Sequence, residues 1–129
     1  SLYRASRAVT RAYRPLLEDI DLTYPQYLVM LVLWRADEPV GVNDIGARLH
    51  LDSGTLTPLL RRLEQAGFIT RKWSDNDERR RLISLTQEGR FLRVRAARVP
   101  EQVLALYPAP PEQLAQVKAF LDDLSTQLE

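Results

Sequence analysis

Positive charge is concentrated between Arg61 and Arg98. This stretch holds eleven Arg and Lys residues against five Asp and Glu residues, whereas the 129-residue chain as a whole has a net charge of only +1. Guanidinium and ammonium groups on one surface bind phosphate oxygens and release the counterions of a nucleic acid. A basic surface in a nearly neutral chain therefore predicts a binding site for a polyanion.

The basic stretch begins at the end of a predicted helix with short polar residues in its first turns. Leucines at positions 56, 59, 60 and 63 have the spacing of one buried helix face, so the polar residues project to the other side. In the major groove of DNA, hydroxyl and guanidinium groups reach base edges or phosphates. A solvated amphipathic helix would show the same pattern, but the segment that follows favours DNA binding. The predicted contacts are Ser53, Gly54, Thr55, Thr57, Arg61 and Arg62.

More basic residues flank the polar segment 74–78. Residues 68–73 alternate in polarity like a strand, and residues 79–85 return as a second strand, so the two segments predict a β-hairpin with a charged tip. Such a hairpin can lie across phosphates or enter a minor groove. The predicted contacts are Arg71, Lys72, Arg79 and Arg80, with Asp77 placed to orient the Arg79 guanidinium.

The sequence offers no group for catalysis or metal binding. His50 is the single histidine and cysteine is absent, so neither a metal site of ordinary ligand spacing nor a Cys/His dyad can be assembled. We therefore expect no enzyme activity, no metal and no cofactor. No apolar run approaches the ~20 residues of a membrane span. The N-terminus has no export signal, so we expect a cytoplasmic protein.

Helices are predicted on both sides of these candidate residues. Residues 2–19 form an amphipathic pattern that Pro15 should bend or break near its end. Thr23 and Gln26 form a capping box before the apolar run 27–34, which predicts a buried helix. Asp52 or Ser53 should cap the polar-faced helix, Gly67 should end it, and Thr86 should begin a long helix bent at Pro100. After a break at 108–111, residues 114–128 carry apolar side chains close to a heptad seam.

Together these elements predict a mainly α fold with a small β-hairpin wing, a winged helix-turn-helix in a single domain spanning 1–129. Residues 22–86 would form the DNA-binding core. Residues 1–21 and 87–129 show apolar stripes that a compact winged helix does not need, so we expect them to form a homodimer.

Three blocks of the sequence are specific enough to compare with known protein families. They are LTYPQYLVMLVLW at 22–34, LDSGTLTP at 51–58, and DER at 77–79 followed by ISLT at 83–86. The third block resembles the MarR family of transcriptional regulators in general. The first two resemble its organic-hydroperoxide-responsive, or OhrR-type, branch. The match covers nearly the whole chain.

The resemblance implies a homodimeric repressor that binds a pseudo-palindromic operator in double-stranded DNA and releases it when an organic hydroperoxide oxidises a reactive cysteine. In that branch the cysteine is held by tyrosines of its own subunit, which Tyr3 and Tyr13 match, and by one from the partner, which Tyr24 matches. The family's spacing places the cysteine two positions before Ser1. The stretch 103–106 lacks the second cysteine of some members, which favours the single-cysteine type that is capped by a small thiol.

Two other interpretations stay open at this point. One is a MarR-type repressor that responds to a small aromatic ligand without thiol chemistry. The other is a winged-helix interaction module that does not bind DNA. A cysteine upstream of Tyr3 would distinguish the peroxide-responsive repressor from the ligand-responsive one. Salt-dependent binding to a short palindrome would distinguish both repressors from the interaction module.

Overall fold

The computed structural model describes residues 1–74 and 80–129. It divides into two compact units, Ser1–Val99 and Pro100–Glu129. The dimerisation role predicted for the terminal helices depends on a second copy of the chain. The prediction of one domain with terminal dimerisation helices therefore stays a prediction.

Helices α1 and α2 begin the first unit. Helix α1 spans Leu2–Glu18 and continues through Pro15, so the predicted break is wrong. A proline removes a single helical hydrogen bond, and the last turn stays anchored because Leu17 is fully buried and its carbonyl accepts from the N–H of Leu22 at 3.3 Å. Helix α1 packs on helix α2.

Helix α2 spans Tyr24–Arg35, and the predicted capping box at its start is confirmed. The N–H of Gln26 donates to Thr23 Oγ1 at 3.4 Å, and the N–H of Thr23 donates to Gln26 Oε1 at 3.0 Å. These two bonds satisfy donors that a helix start otherwise leaves open. The apolar run that follows is buried on most sides, so α2 is the central helix of the unit.

A helix-turn-helix follows. Strand β1 (Val40–Gly41) leads into α3 (Val42–Leu49), and α4 spans Ser53–Gln65. His50 between the two helices has a left-handed φ of 55°, and the N–H of Leu51 donates to the carbonyl of Gly46 at 2.9 Å. This turn is tight enough to bring α3 and α4 into contact, and both also pack on α2.

The wing is an antiparallel sheet with strand order β1-β3-β2. Strand β2 spans Ile69–Trp73 and β3 spans Arg81–Leu85, paired from Ile69 opposite Leu85 to Trp73 opposite Arg81. The predicted hairpin strands are therefore confirmed, and β1 adds a third strand through Val40 opposite Ile83. The core lies between this sheet and the helices, and its largest fully buried side chains are Leu17, Val29, Met30, Ile45, Leu56, Leu60, Leu63, Ile69 and Ile83.

Helix α5 (Gln87–Ala96) closes the first unit against α2. Thr86 caps it as predicted, with Oγ1 accepting from the N–H of Gly89 at 3.0 Å. Trp34 Nε1 donates to the carbonyl of Gly89 at 2.9 Å, and Arg93 Nη1 donates to the carbonyl of Trp34 at 2.7 Å. The buried indole thus ties the end of α2 to the start of α5.

The long helix predicted from Thr86 is two helices. Helix α5 ends at Ala96 and α6 (Val99–Leu106) begins one residue before the expected bend, so Pro100 lies in the first turn of α6. Proline is tolerated in a first turn because the amide there has no helical acceptor. The interruption thus precedes Pro100 rather than occurring at it.

The second unit contains the rest of α6 and α7 (Pro111–Leu128). No residue of α7 is buried in the single chain, although its apolar side chains repeat at helical spacing. Those left exposed are Leu114, Val117, Phe120, Leu121 and Leu128. Across residues 1–74 and 80–129, no helix is both long and apolar enough to span a bilayer.

Candidate nucleic-acid interface

Helix α4 is built to expose one polar face. Asp52 Oδ1 accepts from the N–H of Thr55 at 2.7 Å, which caps the helix, and hydrogen bonds from Thr55 hold the pKa of Asp52 below its ordinary value. At the other end the N–H of Phe68 donates to the carbonyl of Leu63 at 3.0 Å, with Gly67 at a φ of +86°. This is the predicted glycine stop, a Schellman motif.

The opposite face of α4 carries the residues that the sequence predicts as DNA contacts. Ser53, Gly54 and Thr55 are exposed in the first turn, Arg61 and Arg62 are exposed further along, and Thr57 is half-buried. The leucines of the other face are buried against the core. The structure therefore brings the hydroxyl groups, the glycine and the guanidinium groups to one accessible surface.

Pro58 lies within α4 on this same exposed surface. Without an N–H it cannot bond to the carbonyl of Gly54, four residues earlier. Both residues are exposed, so that carbonyl can be hydrated instead of being left unsatisfied in the core. This explains how the helix accommodates the proline.

Ion pairs fix two of the predicted basic residues of the wing. Arg71 donates to Glu64 Oε1 through Nη2 at 3.0 Å and through Nε at 3.2 Å, which joins β2 to the last turn of α4. Hydrogen bonding from Arg71 is the main cause that lowers the pKa of Glu64, and the charge of Arg81 adds to it. Arg80 Nη2 lies 3.0 Å from Asp44 Oδ2 of α3. These contacts position the wing against the helix-turn-helix.

The other wing predictions divide in two. Lys72 is exposed on β2, where its charge is accessible. Asp77 and Arg79 lie outside the described residues. Their proposed roles at the tip of the hairpin stay predictions.

Sequence reasoning missed the partners of these arginines. Asp44 lies 36 residues from Arg80, so only the fold brings them together. Gly41 belongs to the same contact, because a Cβ there would lie 2.9 Å from Asp44 Oδ2 and 3.0 Å from Arg80 Nε. Sequence reasoning also missed the contact between Trp73 and Arg81. The position of both residues beside the predicted hairpin tip was the feature that could have indicated it.

A second candidate site is a cluster of tyrosines between α1 and α2. The rings of Tyr13 and Tyr24 lie 4.5 Å apart, and those of Tyr13 and Tyr27 lie 5.9 Å apart. Burial is the main cause that raises the pKa of all three tyrosines. The charge of Tyr24 adds to the effect at Tyr13 and at Tyr27, and the charge of Arg35 partly opposes it at Tyr27. At neutral pH the cluster therefore presents protonated hydroxyl groups that can donate hydrogen bonds.

Tyr3 is apart from this cluster. It is 75% exposed on α1, with Arg7 stacked 5.6 Å from its ring centroid. Tyr13 lies ten positions further along α1, a rise of about 15 Å. Within one protomer the structure thus joins Tyr13 to Tyr24 and leaves Tyr3 separate, a different grouping from the one that the resemblance implied. In the described part of the chain, no three His, Asp or Glu side chains are grouped as metal ligands.

The raised tyrosine pKa values predict a pH dependence. A group whose pKa is higher in the folded state stabilises the fold fully below its unfolded value of about 10, and this contribution is lost as the pH rises through the folded value. Tyrosinate absorbance should therefore show an ionisation later than pH 10 that Tyr24→Phe removes. If the absorbance missing from Tyr24→Phe lay below pH 10, burial of this hydroxyl would be disproved.

The chain is similar to known transcriptional regulators in sequence. The family model described as transcriptional regulator SarA/Rot matches residues 11–93. The chain is 49% identical over 120 residues to the organic hydroperoxide resistance transcriptional regulator of Bacillus subtilis, a match covering 93% of this chain and 81% of that protein.

Solved structures agree. Reduced AbfR bound to DNA, from Staphylococcus epidermidis, matches with a TM-score of 0.87 at 33% identity, covering 100% of this chain and 90% of that one. A MarR-family regulator from Rhodococcus sp. RHA1 matches with a TM-score of 0.82 at 28% identity, covering 95% and 88%.

The fold and the exposed helix α4 define a winged-helix transcriptional regulator. The chain belongs to the MarR family of these DNA-binding regulators, and its curated relative of Bacillus subtilis is of the organic hydroperoxide resistance type. The prediction of a regulator and not an enzyme is confirmed by these relatives.

Proposed function

We propose that this protein is a homodimeric repressor that binds a pseudo-palindromic operator through α4 and the wing, and releases it when organic hydroperoxides oxidise the protein. The observation that carries the DNA-binding part is the exposed face of α4, with hydroxyl groups in its first turn and Arg61 and Arg62 beyond them. A helix entering the major groove by its N-terminal end places both groups near bases and phosphates.

A dimer is supported by the apolar side chains that the single chain leaves exposed. Leu2 and Val9 of α1 and Val117 and Leu121 of α7 are all exposed, and exposed apolar stripes mark association surfaces. Two copies related by a twofold axis would present two copies of α4 to successive major grooves. This arrangement accounts for a pseudo-palindromic operator.

The response to oxidation is supported by the tyrosine cluster and by the similarity to the organic hydroperoxide resistance regulator of Bacillus subtilis. Because Tyr13 and Tyr24 lie together, we propose that one subunit supplies this pair and the other supplies Tyr3. The sulfur that reacts would lie N-terminal to Tyr3. Its thiolate attacks a peroxide oxygen, the O–O bond breaks, the alcohol leaves after taking a proton, and the sulfur becomes a sulfenic acid.

Loss of one guanidinium group from α4 tests the DNA-binding part. A duplex is first recovered from a random-sequence library by repeated selection with the protein. We expect Arg61→Ala to weaken binding to this selected duplex by about 1–3 kcal/mol, the cost of a groove contact. The measurement is fluorescence anisotropy at one salt concentration. Arg35→Ala, which removes an exposed arginine from the last turn of α2, is the matched control, and equal affinities of the two variants would contradict the role of α4.

Oxidation is tested on the full-length protein bound to the selected duplex. Cumene hydroperoxide should release the DNA, and a reducing thiol should restore binding. Tyr13→Phe and Tyr24→Phe should alter the peroxide concentration needed for release while leaving affinity in the reduced state unchanged. Retention of the DNA after peroxide treatment would refute the redox part. Release by salicylate alone would favour a ligand-responsive regulator.

A further inference from the structure

Trp73 and Arg81 form a stacked pair at the outer end of the wing. They are directly opposite each other in the β2–β3 register, and the Arg81 guanidinium carbon lies 4.3 Å from the centroid of the Trp73 ring. The indole remains 53% exposed. A large aromatic ring at a solvent-facing position, covered by a cation, is a surface that another molecule can contact.

The pair lies on the side of the wing that faces α4. Alternate residues of a strand share a face, so Ile69, Arg71 and Trp73 project together. Ile69 is buried in the core, and Arg71 bonds to Glu64 of α4. Trp73 and Arg81 therefore continue the same face one step further from the core, beyond the last turn of the candidate recognition helix.

The surroundings of the Arg81 guanidinium differ from those of Arg71 and Arg80. Glu64 neutralises Arg71 and Asp44 neutralises Arg80. Within residues 1–74 and 80–129, Arg81 has no ion pair, and its face is occupied by an aromatic ring instead. Stacking uses the flat face of a guanidinium and leaves the N–H groups at its edge able to bind a phosphate.

We propose that Arg81 contacts a phosphate of the DNA strand that passes between α4 and the wing, and that Trp73 is the positioning residue that holds its guanidinium. The proposal rests on the DNA-binding function proposed above. It adds a phosphate contact to the six residues predicted on α4, and it assigns the aromatic ring a role through Arg81.

The test uses the selected duplex and measures affinity as a function of salt. Arg81→Ala should make the slope of log affinity against log salt less negative by about 1, the loss of one phosphate contact. Trp73→Ala should lower affinity about two- to fivefold, as expected for an exposed cation–π pair, and Trp73→Phe should restore most of it. In the Arg81→Ala background, Trp73→Ala should have no further effect.

Tryptophan fluorescence tests, in the unmodified protein, whether DNA lies close to Trp73. The chain has two tryptophans, and Trp34 is buried, so acrylamide should quench Trp73 selectively. Saturating duplex should protect Trp73 from acrylamide, and Trp73→Phe should remove the quenchable signal.

Three results would overturn the inference. They are an unchanged salt slope for Arg81→Ala, an equal loss from Trp73→Ala with and without Arg81, and quenching of Trp73 that DNA does not alter. If the unmodified protein binds the selected duplex in a salt-dependent way in these experiments, only the Trp73–Arg81 assignment fails. If the selection enriches no duplex that the unmodified protein binds, the proposed function fails as well.

Discussion

Replacement of both Val117 and Leu121 by aspartate is expected to produce monomers and to weaken binding to the selected duplex by about 10²- to 10⁴-fold, the range that joining two binding modules provides. The two side chains are 50% and 37% exposed in the single chain, so the substitutions should leave the fold of each protomer intact. In a dimer they would place unpaired charges in an apolar contact.

The oligomeric state is measured by sedimentation and the affinity by anisotropy. Ala119→Asp is the matched control, because residue 119 lies on α7 opposite the face of Val117 and Leu121. That variant should remain dimeric and bind as the unmodified protein does. If the double variant sediments as a dimer, α7 does not form the interface.

Gly89→Ala is expected to lower the free energy of unfolding by about 3 kcal/mol, at the upper end of the range for overpacking. A Cβ at residue 89 would lie 2.1 Å from the carbonyl oxygen of Phe68 and 3.2 Å from Leu85 Cδ2. The Phe68 carbonyl cannot easily move, since it accepts from the N–H of Thr86 at 3.1 Å. The carbonyl of Gly89 itself accepts from the buried Trp34 indole.

Urea denaturation followed by circular dichroism measures this effect. The control is Gly54→Ala in α4, where the nearest atom to an added Cβ is Asp52 Oδ1 at an ordinary 3.4 Å. Alanine is the better helix former, so Gly54→Ala should leave stability unchanged or raise it by up to about 1 kcal/mol. Equal stabilities of the two variants would show that the junction of α5 and the wing is not tightly packed.

Local patterns in the sequence predicted most elements of the fold. The capping box of Thr23, the cap of Thr86 and the stop at Gly67 depend on residues only a few positions apart, and each is confirmed. The leucine spacing of α4 likewise predicted which face is buried. Pro15 and Pro100 were misjudged because the cost of a proline depends on where it lies within the helix and on the packing of its neighbours.

Local sequence patterns predicted only part of the candidate site. The exposed face of α4 follows from periodicity alone. The pairing of Arg71 with Glu64 and of Arg80 with Asp44 depends on how β2 and β3 meet α4 and α3, which no local pattern specifies. The grouping of Tyr13 with Tyr24 similarly depends on the packing of α1 on α2.

Two copies of α4, fixed in one dimer, should bind two half-sites on successive major grooves. Insertion of about 5 base pairs, half a helical turn, between the half-sites of the selected duplex tests this arrangement most directly. The affinity, measured by anisotropy, should fall to that of a duplex with one half-site scrambled, because the second copy of α4 would then face the wrong side of the helix. Unchanged affinity after the insertion would contradict the account.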